Sequence, residues 1–195
     1  MDETTDIERM LELRDELVVK LTSNNRRERQ DASHRLAALA LESADVVSEV
    51  ASELIDALEL PEAQTRWECL DALSVVAKEY PDVVLGGFEG AEDALFDEGS
   101  AAVRLSAFRF LSRYGMNAPD RSRAAWALMS EAVQCYHGDP EYREMLICLL
   151  DFAQGDIDDS VRESLIDRMG FDAKNGRGVI RRYSLAICDA ARGEE

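Results

Sequence analysis

The sequence predicts an all-α fold, a solenoid of about five helical hairpins. Three observations predict it. An arginine-led pattern returns every 37 to 39 residues, the copies have the spacing of amphipathic helices, and the 195-residue chain holds only 11 glycines and 4 prolines. Long helices tolerate this scarcity, whereas β folds with many turns usually do not. Repeats of this length bury their apolar stripes by stacking on their neighbours.

The repeated pattern is an arginine followed by small or apolar residues three, seven, ten and eleven positions later. In the third copy, Arg104 precedes Ala107, Leu111, Tyr114 and Gly115. These offsets place the side chains on one face of a helix. The arginines that lead the other copies are Arg29, Arg66, Arg143 and Arg181. Each copy therefore predicts one amphipathic helix, the second helix of its hairpin.

A first helix is predicted before each arginine-led helix. The five segments are 7–21, 46–60, 81–96, 123–136 and 161–169. The third is the weakest, because Gly86, Gly87 and Gly90 each disfavour a helix by about 1 kcal/mol relative to alanine. No linker divides the chain, so we expect a single domain, 1–195. Its predicted repeats are 6–43, 44–80, 81–116, 119–155 and 158–192.

The arginine-led helices resemble the second helix of a HEAT repeat. In the third copy, Val103-Arg104 with Ala107 and Leu111 follows an acidic turn residue, Asp97. The resemblance covers about residues 6–192. It implies a right-handed α-solenoid (α-α superhelix) of five HEAT-like hairpins, of the broader armadillo-like class.

In the HEAT family, the turn aspartate and the helix arginine pair between neighbouring repeats. Asp97 with Arg104 and Asp139 with Arg143 resemble this arrangement. Glu62 takes the place of the aspartate in the second turn. The first and fifth turns lack the acid, and no first helix carries the internal proline typical of the family.

The chain is strongly acidic, with 40 Asp and Glu against 22 Lys and Arg and a net charge of −18. Such a surface repels nucleic-acid phosphates and anionic membranes. Charge of this kind serves solubility, and the alternative is a basic partner.

The four cysteines, Cys69, Cys135, Cys148 and Cys188, lie far apart without a C-x-x-C pair. The first residues, MDETTDIERM, do not have the basic and then apolar pattern of a secretion signal. No apolar stretch approaches the ~20 residues of a membrane span. We therefore expect unbridged thiols and a reducing, cytoplasmic location.

The sequence contains no catalytic motif. His34 and His137 do not form a metal-spaced cluster, and no G-x-S-x-G, Walker or G-x-G-x-x-G string occurs. The stretch 156–160 lacks the glycine and the glutamate of a calcium loop and is interpreted as a helix start. We expect no catalytic residue, no metal and no cofactor.

One enzyme class within the resemblance is weighed as an alternative, a HEAT-like DNA glycosylase or another nucleic-acid repair enzyme. HEAT-like glycosylases bind duplex DNA on a concave, cationic face with tryptophans and a catalytic aspartate. This chain has only Trp67 and Trp126, and its net charge is of the opposite sign.

A binding groove is predicted on the second helices, which line the concave side in HEAT proteins and hold most of the arginines of this chain. The first helices and turns hold most of the acid. Positions one, two, five and nine after each leading arginine would face the concavity. The proposed anchors are Trp67, Met145, Phe152 and Tyr183, with Arg109 and Arg113 binding an acidic group. The alternative is that these side chains fill the seams between repeats.

The function expected from the sequence is a non-catalytic protein–protein interaction module, an adaptor or regulatory scaffold. Its concave face would bind a peptide or a helix of another protein, whose identity the residues do not specify. The acidic start and the polar ending at 192–195 favour capped ends and a monomer, with self-association as the alternative.

Overall fold

The computed structural model describes residues 3–193, with side chains from residue 5, and these residues form α-helices, two short 3-10 segments and connecting turns, without a strand. The helices are α1 (Glu3–Leu21), α2 (Arg26–Glu42), α3 (Ala44–Ser48), α4 (Ala51–Asp56), α5 (Ala63–Glu79), α6 (Phe88–Leu95), α7 (Ala101–Gly115), α8 (Pro119–Cys135), α9 (Tyr142–Ala153), α10 (Asp159–Asn175) and α11 (Gly178–Arg192). The last two residues of the polar ending lie outside the described residues.

The chain divides into two compact units, Met1–Phe110 and Leu111–Glu195. In chain order, a first-helix segment and an arginine-led helix alternate through five predicted repeats, so both members of every predicted pair are helical. The prediction of a single domain stays a prediction.

In the first unit, the arginine-led helices form the centre of the packing. Helix α2 packs on α1 and α5, and both α3 and α4 pack on α5. Leu36, Leu54 and Leu73 from three of these elements are fully buried. Burying a leucine stabilises a fold by about 1.5–3 kcal/mol, so this core provides much of the unit's stability.

The predicted first helices of repeats two and three are shorter than expected. The segment 46–60 is broken into α3, α4 and a 3-10 turn, with a non-helical backbone at Val50 (φ −116°, ψ 23°). In repeat three, α6 begins only at Phe88, after a 3-10 turn that contains Gly86 and Gly87. The low helix propensity of β-branched residues and glycines accounts for both interruptions.

In the second unit, α11 packs on α9 and α10, and α8 packs on α10. The rings of Trp126 and Phe152 stack with their centroids 6.3 Å apart, and the indole Nε1 of Trp126 donates to Ser164 Oγ at 2.9 Å. Both aromatic side chains are buried. They tie α8 to α9 and α10 within this unit.

Polar contacts between neighbouring repeats confirm the repeat length. Trp126 and Ser164 lie 38 residues apart, as do Arg168 and Ser130, whose hydrogen bond is 3.0 Å long. Because this separation matches the sequence period, equivalent positions of successive repeats lie side by side.

The register predicted for the fourth copy is wrong by one residue. Tyr142, Met145, Leu149 and Phe152 are buried, whereas Arg143 is exposed. These buried residues have the predicted offsets only if Tyr142 is position zero. Its separation from Arg104 is then 38 residues, equal to that between Arg66 and Arg104. The fourth repeat therefore replaces the leading arginine by a buried tyrosine.

Candidate functional site

The leading arginines of the first two repeats bind acidic residues in the turn of the next repeat. Arg29 pairs with Glu62, and Arg66 Nη2 lies 2.8 Å from Asp97 Oδ2. Arg29 also donates to the carbonyl oxygen of Ser23 in its own turn, at 2.7 Å. This is the pairing between neighbouring repeats that the HEAT resemblance implies, and it is confirmed at these two positions.

Two details of the expected pairing differ. The carboxylate of Asp97 binds Arg66, whereas Arg104 donates to the backbone carbonyl of Asp97 at 2.9 Å. Arg143 lies on the exposed side of α9, 3.9 Å from Glu144, because Tyr142 takes the inward position. The predicted pair of Asp139 with Arg143 is therefore wrong.

The arginines keep their acidic partners ionised. The hydrogen bond from Arg29 is the main cause that lowers the pKa of Glu62. Burial alone would raise the pKa of Asp97, but the hydrogen bond and the charge of Arg66, with backbone N–H donors, lower it below its ordinary value. These ion pairs are thus internal, and both guanidinium groups are engaged within the fold.

The predicted site residues of the first unit lie on half-buried surfaces of α5 and α7. Trp67 is half-buried on α5, and Arg109 on α7 pairs with Asp71 on α5. On α2, His34 Nδ1 lies 3.0 Å from Glu68 Oε1. We call these five residues the rung surface. When His34 is neutral, the two carboxylates of the rung surface outnumber its one arginine.

Arg109 is therefore already paired with a carboxylate, and its predicted binding of an acidic group stays a prediction. Asp71, five residues after Arg66, holds the same position in its repeat as Arg109 does after Arg104. Equivalent positions of adjacent repeats lie side by side, so the two opposite charges meet and neutralise each other.

Met145 and Phe152 are wrong as surface anchors. Both side chains are 0% exposed. Helix α9 is apolar around most of its circumference, and the one-residue register shift turns these positions into the core. For these two residues the alternative interpretation, packing within the repeats, is the correct one.

Tyr183 and Arg113 complete the predicted set in the second unit. Both are half-buried, Tyr183 on α11 and Arg113 near the end of α7. The Arg182 guanidinium lies 5.1 Å from the centre of the Tyr183 ring, a cation–π contact. The role of Tyr183 and Arg113 in binding stays a prediction.

The first helices of the first unit carry exposed carboxylates, as expected. Those on α1, α4, α6 and the turn after α3 include Glu8, Glu12, Asp15, Glu16, Glu49, Asp56, Glu92 and Asp93. Arg14 is bound by Asp15 and Glu49, so even this cation is engaged. The surface that the first helices present is accordingly acidic.

Within residues 5–193, no three metal-ligating side chains lie close enough to hold an ion. None of the described helices has the length and apolar character needed to cross a bilayer. All four cysteines are free thiols, of which Cys135 is exposed and the other three are buried.

Comparisons with known proteins support the fold. A designed armadillo repeat protein is 13% identical with a TM-score of 0.73, over 92% of this chain and 82% of its own. A second one, solved in complex with the peptide (KR)4, is 15% identical with a TM-score of 0.74, over 90% and 80%. A computationally designed armadillo repeat protein for modular peptide recognition is 13% identical with a TM-score of 0.72, over 97% and 94%.

The chain has an armadillo-like helical repeat fold. This confirms the predicted fold class and the resemblance to HEAT and armadillo-like repeats. No family model matches the sequence, and no curated protein matches it. The armadillo-like likeness thus extends to the fold alone.

Proposed function

We propose that this chain is a non-catalytic module that binds a basic segment of another protein. The observation that supports the proposal is the distribution of charge. The net charge is −18, and Arg29, Arg66 and Arg109 are each paired with a carboxylate inside the first unit. The acid of the first helices faces solvent, and its long-range field attracts a basic partner to the protein.

A similar fold is known to bind a basic peptide. The designed armadillo repeat protein described above was solved with (KR)4, a peptide of alternating lysine and arginine. That ligand has the charge that this acidic chain would attract.

In the first unit, the rung surface is where we place the peptide. Glu68 and Asp71 are half-buried carboxylates whose partners, His34 and Arg109, come from the neighbouring repeats. A lysine or arginine of the peptide would replace those partners, and Trp67 would contribute an aromatic face. The partner is thus basic, and not acidic as the assignment of Arg109 and Arg113 suggested.

The alternative, a nucleic-acid repair enzyme, requires a cationic surface for phosphates. The charge distribution opposes it, so we propose a binding module and no catalysis. A cytoplasmic location is part of the same proposal and rests on the sequence.

Fluorescence anisotropy with labelled peptides tests the proposal. We expect (KR)4 to bind, with an affinity that falls as salt rises from 50 to 300 mM, because exposed charges are screened over ~10 Å at 0.1 M salt. An alternating Glu-Asp peptide and a duplex DNA should not bind.

The double variant Glu68→Gln, Asp71→Asn should weaken (KR)4 binding by about tenfold, because a hydrogen bond to a charged group contributes ~1.5–3 kcal/mol. The control is Glu92→Gln with Asp93→Asn, which removes two exposed charges from α6. It should change the affinity for (KR)4 less than the double variant does. Binding of the acidic peptide or the DNA, or no binding of (KR)4, would contradict the proposal.

A further inference from the structure

A pocket of about 310 Å³ opens in the second unit, where the end of α8 meets α10 and the start of α9. Its lining includes Val133, His137, Tyr142, Arg168, Phe171 and Asp172. Helices α8 and α10 are the first helices of repeats four and five. The pocket is therefore separate from the groove that the sequence predicts on the second helices.

The pocket lining contains a carboxylate without a permanent positive partner. Asp172 is 9% exposed, and its Oδ2 lies 2.9 Å from His137 Nε2 and 3.5 Å from the Tyr142 hydroxyl, which donates to it. Within the described residues, its Oδ1 accepts no hydrogen bond, and no lysine or arginine pairs with it. A buried carboxylate is costly unless it is paired. Asp172 can therefore accept a further donor, and a cation is the strongest one.

The walls suit a cation on an apolar stem. Phe171 is 72% exposed at the rim, and the His137 and Tyr142 rings lie 4.8 Å apart, centroid to centroid. Aromatic faces attract ammonium groups. Phe171 and Val133 offer apolar surface to the methylenes of a lysine, as apolar surfaces do for long charged side chains.

The single available oxygen favours lysine over arginine. A guanidinium binds a carboxylate best through two parallel hydrogen bonds, whereas an ammonium is a point charge that one oxygen can accept. In Asp172, Oδ2 is already shared by His137 and Tyr142, so only Oδ1 is available.

Arg168 restricts how the ligand enters. It lies one helical turn before Asp172, lines the same pocket, and donates from Nη2 to Ser130 Oγ at 3.0 Å. Its charge repels a second cation, so the ammonium belongs on the Asp172 side. Its remaining N–H groups suit a main-chain carbonyl of the ligand.

We propose that this pocket receives a lysine side chain of the partner protein, with its ammonium on Asp172 Oδ1 and its stem against Phe171. The inference deepens the proposed function and rests on it for the basic character of the partner.

Two measurements test it. The first is anisotropy with a labelled peptide of alternating lysine and glycine, compared with arginine and acetyl-lysine counterparts. The second is NMR of protein with ¹³C-labelled phenylalanine, titrated with N-acetyl-lysine methylamide, which reports on Phe171 without a basic peptide. Thermal unfolding checks that each variant is folded.

We expect the lysine peptide to bind more tightly than the other two. Asp172→Asn, which keeps the shape of the side chain, should weaken binding of the lysine peptide by about tenfold. Phe171→Ala should weaken it by about two- to fivefold. The matched control is Asp167→Asn, which removes an exposed charge from α10 outside the pocket and should change the affinity less than twofold. The amide should shift the Phe171 resonances in the wild type and not in Asp172→Asn.

The outcomes separate this inference from the proposed function. If the lysine peptide binds wild type and both pocket variants equally, or the arginine peptide binds as well, the pocket inference is overturned and the basic partner stands. If the neutral acetyl-lysine peptide binds as well, positive charge is not required, and both the pocket inference and the basic partner fail. If no basic peptide binds but the amide shifts Phe171, the pocket stands and the proposed function fails. If neither occurs, both fail. Should Asp172→Asn not fold, the exposed Phe171→Ala decides.

Discussion

Arg66 on α5 forms an ion pair 2.8 Å long with Asp97, which lies in the turn of the following repeat. Both side chains are largely buried, and the guanidinium of Arg104 binds the backbone carbonyl of the same aspartate. One turn residue thus joins the leading arginines of two successive repeats. These two arginines are therefore engaged inside the fold and are not available as surface cations.

Asp97→Asn should therefore destabilise the protein by about 1–3 kcal/mol, the cost of weakening a charged hydrogen bond at a buried site. Chemical denaturation at pH 7 measures it. Glu98→Gln is the control, because it removes the neighbouring exposed carboxylate and should change the free energy of unfolding by less than about 0.5 kcal/mol. Equal effects of the two variants would show that the ion pair contributes nothing.

The same pair makes a pH-dependent contribution. The folded pKa of Asp97 is lower than its ordinary value of 3.8. A depressed carboxyl pKa stabilises the fold fully above the unfolded pKa, and this stabilisation is lost as the pH falls through the folded pKa. The difference between wild type and Asp97→Asn should thus be constant from pH 7 to about pH 5 and shrink below pH 4. A difference that grew on acidification would contradict this assignment.

The register of repeat four gives a second prediction. Tyr142→Ala should cost about 3–5 kcal/mol, as for other large aromatic residues removed from a core, whereas Arg143→Ala should cost less than about 0.5 kcal/mol. Urea denaturation of both variants compares them. A larger loss of stability in Arg143→Ala than in Tyr142→Ala would support the register with Arg143 at position zero.

Two glycines of the second unit should respond to alanine in opposite directions. At Gly155, an added Cβ would lie 2.5 Å from both Cβ and O of Met116, so Gly155→Ala should destabilise by about 1–3 kcal/mol. At Gly170, inside α10, a Cβ meets nothing within 4 Å, so Gly170→Ala should stabilise by about 0.5–1 kcal/mol. Thermal unfolding distinguishes the signs, and a stabilising Gly155→Ala would refute the close packing at Met116.

The thiols provide a rapid test of burial. A thiol reagent added to native protein at pH 8 should modify Cys135 alone among the four cysteines, because the other three are buried. Burial also raises the pKa of Cys69 and of Cys188, which lowers their thiolate fraction. Mass spectrometry after digestion identifies the labelled residue. Rapid labelling of Cys69 in native protein would contradict the packing of α5.

The fold was predictable because its signal is repeated. Five copies of one spacing reinforce each other, and the separation of 38 residues between Trp126 and Ser164 is the same period seen as a contact. When a repeat departs from the pattern, periodicity does not identify which residue occupies its leading position. In repeat four, Arg143 has the residue type of the pattern, whereas the adjacent Tyr142 is the buried residue.

The candidate site was less predictable, because exposure depends on how completely a helix is covered. Trp67 is half-buried, whereas Met145 and Phe152 lie in the core because α9 is covered around most of its circumference. The pairing of Arg109 with Asp71 follows from equivalent positions in adjacent repeats, and the 38-residue spacing could have shown it. The pocket at Asp172 needed the structure, since His137 and Tyr142 meet it only through packing.

The most direct test of the account is the affinity of Arg109→Ala for (KR)4 at low salt, measured beside the acidic peptide. Because Arg109 neutralises Asp71, its removal should free a carboxylate and strengthen (KR)4 binding by about two- to fivefold. The acidic peptide should bind neither protein. If instead the wild type binds the acidic peptide and Arg109→Ala loses it, the arginine itself is the receptor, and the central claim of an acidic binding surface is wrong.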